Sequence, residues 1–234
     1  MSASVSSAPT LNRSTTRTRF LIPKLVGFLA LLGAALWFVV NYPLQYILHY
    51  NEGQFTNAAT GAANYWRDRF WLLAHFGGGI LALLVGPWQF WTGFRARYVH
   101  LHRWTGRLFL FGVALGCIGA TRLLINTTFG WGFGTSIASL AIAWAVTTGI
   151  AYYAILKGQV ALHKVWMVRA YVVTFAFVTF RVLHDYGPTS RLQPEQDRAI
   201  NAGWACWAIP LLFTIAIQEL LAIRKQTGAR LPQG

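Results

Sequence analysis

Acid is what this chain has least of: six Asp and Glu stand against 20 Lys and Arg among 234 residues, for a formal net charge of +14. Charge of either sign is scarce too, at 11% of residues, where an ordinary soluble domain carries about 25%. That leaves too little polar surface to clothe a soluble core. Cysteine is nearly absent. Cys117 and Cys206 both fall inside apolar runs, so no disulfide framework or metal-ligand spacing is readable. There is no Gly-rich phosphate loop, serine-elbow pattern, His-Glu zinc motif or pair of intramembrane carboxylates. The common nucleotide-binding, hydrolytic and metalloprotease sites therefore have no signature here.

What is abundant is apolar surface, 55% of residues, with a mean hydropathy of +0.43. It is gathered into six runs: Val26–Tyr42, Phe70–Phe90, Leu108–Leu124, Thr135–Ile155, Trp166–Leu183 and Trp204–Ile223. Each is about long enough to cross a hydrocarbon core of about 30 Å as a helix. They are too long for barrel strands, and a helix satisfies its own backbone in lipid. The expected fold is all-α, a polytopic bundle of six transmembrane helices over residues 20–225. Residues 1–19, rich in Ser, Thr and Arg, read as a disordered cytoplasmic tail, and 226–234 as a second tail. No small-residue cleavage site marks a signal peptide.

Orientation follows from the distribution of Lys and Arg. One side of the six spans collects fourteen of them, including Arg95, Arg97, Arg103, Arg107, Lys157 and Lys164. The other side has six: Arg67, Arg69, Arg122, Arg181, Arg191 and Arg198. Five of the six acids join that second group. The split predicts a multi-pass protein of the inner (plasma) membrane with both termini cytoplasmic. The basic surplus is then a topology signal plus contact with anionic lipid, and nucleic acid is not an expected partner. Trp66, Trp71, Trp88, Trp91, Trp104, Trp131, Trp166 and Trp204 fall near predicted helix ends, where amphipathic rings belong.

Histidine is the residue left to carry chemistry. His100, His102 and His163 fall at the inner ends of the spans, and His49, His75 and His184 at or near the outer ends. His75 is followed by Gly77, Gly78, Gly79 and Gly86, and His102 by Gly106, Gly112, Gly116 and Gly119. Glycine there lets a flat ligand or a neighbouring backbone come close. A haem held between helices by imidazoles needs that geometry, although glycine also serves plain helix packing and interfacial histidine plain headgroup contact. His75 with His184, and His102 with His163, lie at matching depths on different spans and are the candidate pairs for a ligand or for proton handling.

Arg122 and Arg181 fall near the outer ends of the third and fifth spans, close to His75, His184 and Asp185. An ionisable residue within a span is costly and marks a candidate site. This one could hold a haem propionate, a quinone head group or another anion. A snorkelling Arg181 paired with Asp185 is the plainer alternative.

The stretches HFGGGILALLVGPWQF (75–90), HLHRWTGRLFLFGVALGCIGA (100–120) and LHKVWMVRAYVVTFAFVTFRV (162–182) resemble a bacterial membrane family described as domain of unknown function 2306. That likeness implies membership and no activity. More remotely, a His-x-x-x-Gly start to a helix is similar to the two-haem transmembrane cytochromes b. This second likeness implies a four-helix core of spans 2 to 5, with His102 and His163 on an inner haem b and His75 and His184 on an outer one. His163 and His184 are 21 residues apart, about 31 Å along a helix, a long gap for electrons; one haem, two or none stay open.

The expected function is a b-type haem protein moving electrons between a quinone or small reductant and an acceptor, which would make it a membrane oxidoreductase. The rival is a cofactor-free transporter or accessory subunit binding an anionic solute or lipid at the outer Arg/His cluster.

Overall fold

A helix is the local answer wherever apolar side chains crowd a backbone that water cannot reach, and helices account for the structure. The computed structural model describes residues 13–50, 66–125, 127 and 130–230. The helices are α1 (Arg13–Asn41), α2 (Pro43–Leu48), α3 (Arg69–Phe90), α4 (Thr92–Arg97), α5 (Val99–Ile125), α6 (Gly130–Leu156), α7 (Val160–Thr174), α8 (Ala176–Arg181) and α9 (Glu195–Arg230). A π turn (Val182–Tyr186) and a 3₁₀ turn (Pro188–Arg191) join α8 to α9.

Six stretches are long and apolar enough to cross a membrane, and each contains one of the expected runs: Pro23–Leu48, Arg69–Phe90, Val99–Ile125, Gly130–Leu156, Val160–Arg191 and Glu195–Thr227. Helix α1 begins at Arg13, inside the segment read as a tail, and residues 1–12 lie outside the described part. At the other end α9 runs to Arg230, past the expected boundary at 225, and 231–234 are likewise outside. The helix of the third span, α5, starts at Val99 rather than Leu108, because Arg103 and Arg107 interrupt the apolar run without interrupting the helix.

The four middle spans form the core. Between 33% and 39% of each is buried, against 11% of the first and 6% of the last. Exposed Leu212, Phe213, Leu220 and Ile223 on α9 face where lipid would be. At the centre, Phe109, Val113, Trp144, Tyr171 and Cys206 pack together. Two hydrogen bonds pin this core: the Trp144 indole N–H donates to Thr174 Oγ1 at 2.8 Å, and the Tyr171 hydroxyl to the Leu83 carbonyl at 3.0 Å.

The closest crossing joins α3 and α5, and glycine makes it possible. A Cβ on Gly78 would overlap Gly116 N and Gly112 O, and one on Gly119 would lie 2.6 Å from Trp71 O and 2.7 Å from His75 N. Backbone meets backbone there, as in small-residue membrane contacts. At the far end of α6, Gly158 takes φ +71° and closes the turn into α7. Its N–H bonds Ile155 O while the Gln159 N–H bonds Ala154 O, a helix stop that only glycine adopts without strain. Trp88 and Trp91 stack, with Phe28 set edgewise or tilted against them, toward this Gly158 end of the bundle. Tyr42 and Asp185 lie toward the other.

Candidate functional site

A cavity of about 220 Å³ opens among the helices toward the Asp185 end. Phe38 and Tyr46 wall it from α1 and α2, His75 and Phe76 from α3, Leu123 and Leu124 from α5, Trp144 from α6, Phe177 and Arg181 from α8, and Cys206 from α9. Its lining is largely apolar and aromatic, with a few polar groups, the usual make-up of a small-molecule site.

His75 is the polar centre of that lining. The glycine crossing brings its ring against α5, where Nδ1–H donates to the Gly116 carbonyl at 2.9 Å. A carbonyl can only accept, so the bond fixes the tautomer: the proton sits on Nδ1 and Nε2 keeps its lone pair. No described residue bonds Nε2. The ring edges Phe177 at 5.4 Å, and Phe177 in turn meets Trp144 at 5.2 Å.

Above the cavity, Asp185 ties two helices together. Its Oδ2 accepts the Tyr42 hydroxyl at 2.7 Å and its Oδ1 lies 2.6 Å from His184 Nδ1. The Arg181 guanidinium lies over the Tyr42 ring at 4.6 Å and within electrostatic reach of Asp185. These residues join the α1–α2 junction to the end of α8 and the π turn, and single π turns inside helices often mark functional sites. His184 stacks on Phe180 at 5.4 Å, and Phe180 belongs to the cavity wall.

Of the residues picked from sequence, His75 and Arg181 face this cavity. His184 borders it through Phe180, and no ring contact or hydrogen bond joins it to His75 among the described residues. The reason is register: Phe177 is level with His75, and His184 comes about two turns later. Arg122 is elsewhere, 3.6 Å from the buried carboxylate of Asp68. At the Gly158 end, His163 Nδ1–H donates to the Ala151 carbonyl at 2.8 Å across the α6–α7 turn. His102 is within electrostatic reach of His163, Arg95 and Arg103, and its Nδ1 is buried without a partner. No group of three or more His, Cys, Asp or Glu side chains among the described residues could hold a metal ion.

Sequence reasoning missed Tyr42, Phe177 and Trp144. Tyr42 marked only the end of the first apolar run, and its bond to a residue 143 positions away leaves no local pattern. His75 with four glycines after it was the usable signal, although the carbonyl that orients it belongs to another helix.

No curated protein and no solved structure matches the chain. Residues 72–218, well over half of its length and including His75, His102, Arg122, His163, Arg181 and His184, match one family. This multi-pass helical protein belongs to the family of predicted membrane proteins DUF2306.

Proposed function

We propose that the protein binds the hydroxyl-bearing ring of a lipid-soluble molecule, a quinol or another phenol-headed lipid, in the cavity beside His75. One observation carries this reading: the His75 tautomer is locked by Gly116, so that a bare lone pair is left in a largely apolar chamber. An acceptor facing apolar surroundings without a donor is unfavourable, and a ligand hydroxyl would satisfy it. The chamber accepts a donor at that point; the carbonyl of an oxidised quinone, itself an acceptor, does not suit it. Its 220 Å³ is just under the usual ligand range of about 300–1,000 Å³, a size for one or two rings with the tail left in lipid.

The test is binding of 2-naphthol against naphthalene, the same rings without the hydroxyl, to protein in lipid nanodiscs. Wild type should prefer 2-naphthol roughly five- to tenfold over the naphthalene reference, and His75→Ala should erase the difference. Equal affinities in wild type sink the proposal.

The haem electron-transfer reading finds its support at the other end of the bundle. His75 and His184 do not face one another across the cavity, and a porphyrin is larger than the space beside His75. His102 and His163 suit a haem better: His163 holds Nδ1–H on a backbone carbonyl, which orients Nε2 as in many ligating histidines, and Arg95 and Arg103 stand near to neutralise propionates. Haem there would supply one-electron chemistry. A Soret band in the purified protein that is lost in His163→Ala supports this second reading, and colourless protein from haem-supplemented cells rejects it. The anion-binding reading is weakest, since Arg122 and Arg181 are each offset by a carboxylate. The fourteen-to-six division of basic residues supports an inner-membrane protein with both termini in the cytoplasm and the His75 cavity in the outer half of the bilayer.

A further inference from the structure

We propose that α2 forms a lid hinged at Tyr42–Pro43 and latched to Asp185, and that the cavity's ligand enters sideways from the bilayer beneath it. The inference rests on the cavity reading above and adds where the ligand comes from and what controls its passage.

The first span is held more loosely than the four middle spans, with 11% buried against 33–39%. Toward the cavity end, its packing on the bundle centres on a small patch in which Ala35 meets Leu83 and Val178, while Phe28 holds its other end against Trp88 and Trp91. Beyond that patch it walls the cavity with Phe38 and Tyr46. Its opposite face shows Leu36, Val40, Ile47 and Leu48, all exposed and facing where lipid would be. Moving this one segment would therefore join the cavity to the hydrocarbon.

The segment is also broken where a hinge would need it. Tyr42 leaves helical geometry at φ −123°, ψ −84°, and Pro43, with no N–H, cannot continue the ladder of α1. The same Tyr42 carries the latch: its hydroxyl donates to Asp185 and its ring lies under Arg181. Past the hinge, Tyr46 rests on Phe76 with ring centroids 5.3 Å apart. Hinge and latch thus share one residue, so releasing the hydroxyl frees the point about which the lid turns.

Cys206, buried and lining the cavity, reports opening without any ligand. In Cys117→Ala protein in nanodiscs, Cys206 labelling by lipophilic N-phenylmaleimide is compared with labelling by a sulfonated, membrane-impermeant maleimide, alongside the exchange rate of 2-naphthol. Tyr42→Phe and Asp185→Asn each remove a bond to a charged acceptor or its charge. Each should speed lipophilic labelling and naphthol exchange about tenfold, leave sulfonated labelling slow, and keep the melting temperature within a few degrees of the parent. Unchanged rates in both folded variants overturn the lid. Faster sulfonated labelling overturns the lipid route. If wild type does not prefer 2-naphthol while Cys206 labelling still accelerates, the lid stands and the hydroxyl-binding reading falls.

Discussion

His75 on α3 donates its Nδ1–H to the carbonyl of Gly116 on α5, 2.9 Å away, and the missing side chain of Gly116 leaves room for a ring of the same cavity. A Cβ there would stand 2.8 Å from the Trp144 ring, which lines the same cavity. Gly116→Ala should therefore force the indole away and cost about 1–3 kcal/mol, the usual range for overpacking. It should also weaken 2-naphthol binding by moving the carbonyl that orients His75. Gly77, where a Cβ meets nothing within 4 Å, supplies the control: Gly77→Ala should leave melting temperature and binding alone. If the two substitutions melt alike in nanodiscs, the crossing is looser than described.

Thr174 makes a second prediction. Its hydroxyl accepts from the Trp144 indole and donates to the Ala170 carbonyl, and the residue is fully buried. Thr174→Val keeps the shape but strands the indole N–H in a place where no water replaces it. A loss of about 1–3 kcal/mol is expected. Thr174→Ser keeps the oxygen and should lose less. Thermal unfolding of the two variants decides it, and equal losses would mean that the methyl contributes as much as the hydrogen bond to holding α6 against α7.

The six spans were legible because length and apolar content act locally, residue by residue, and the bilayer sets one length for all of them. Helix ends were less legible. Arg103 and Arg107 are polar enough to end a hydropathy run, yet they are good helix formers, so α5 continues back to Val99 and carries His102 inside the helix. Depth was harder still. Counting from the loops set His75 level with His184, whereas the ring that meets His75 is Phe177. Tilt, the break at Phe175 and the π turn after Arg181 all shift register without a mark in the sequence. The Tyr42–Asp185 bond was illegible for another reason: each residue has an ordinary explanation alone, and only the fold joins them.

Arg122 and Asp68 are expected to couple weakly. Their charged atoms are 3.6 Å apart, and the Arg122 side chain is 38% exposed against 7% for Asp68. Solvent at the arginine screens the pair, which puts the coupling at about 1 kcal/mol or less. A double-mutant cycle with Asp68→Asn and Arg122→Gln measures it directly. A coupling several times larger would mean that this end of the bundle is drier than the exposure implies, and the carboxylate would then be a buried charge that depends on its partner.

Topology offers the most direct check of the charge argument. The termini and the turn at Gly158 should share the face that holds the fourteen basic residues, while the Pro188–Arg191 turn should emerge on the other. Single cysteines replacing Gln159 and Ser190, each in a Cys117→Ala background, separate the two faces; Cys206 is buried and reacts slowly with a polar reagent. In intact cells an impermeant maleimide should label the Ser190→Cys protein and spare the Gln159→Cys protein until the membrane is opened. The opposite pattern would turn the molecule over and put the His75 cavity in the cytoplasmic half of the bilayer. Equal labelling of both before lysis would contradict an even number of crossings between a basic inner face and a nearly neutral outer one.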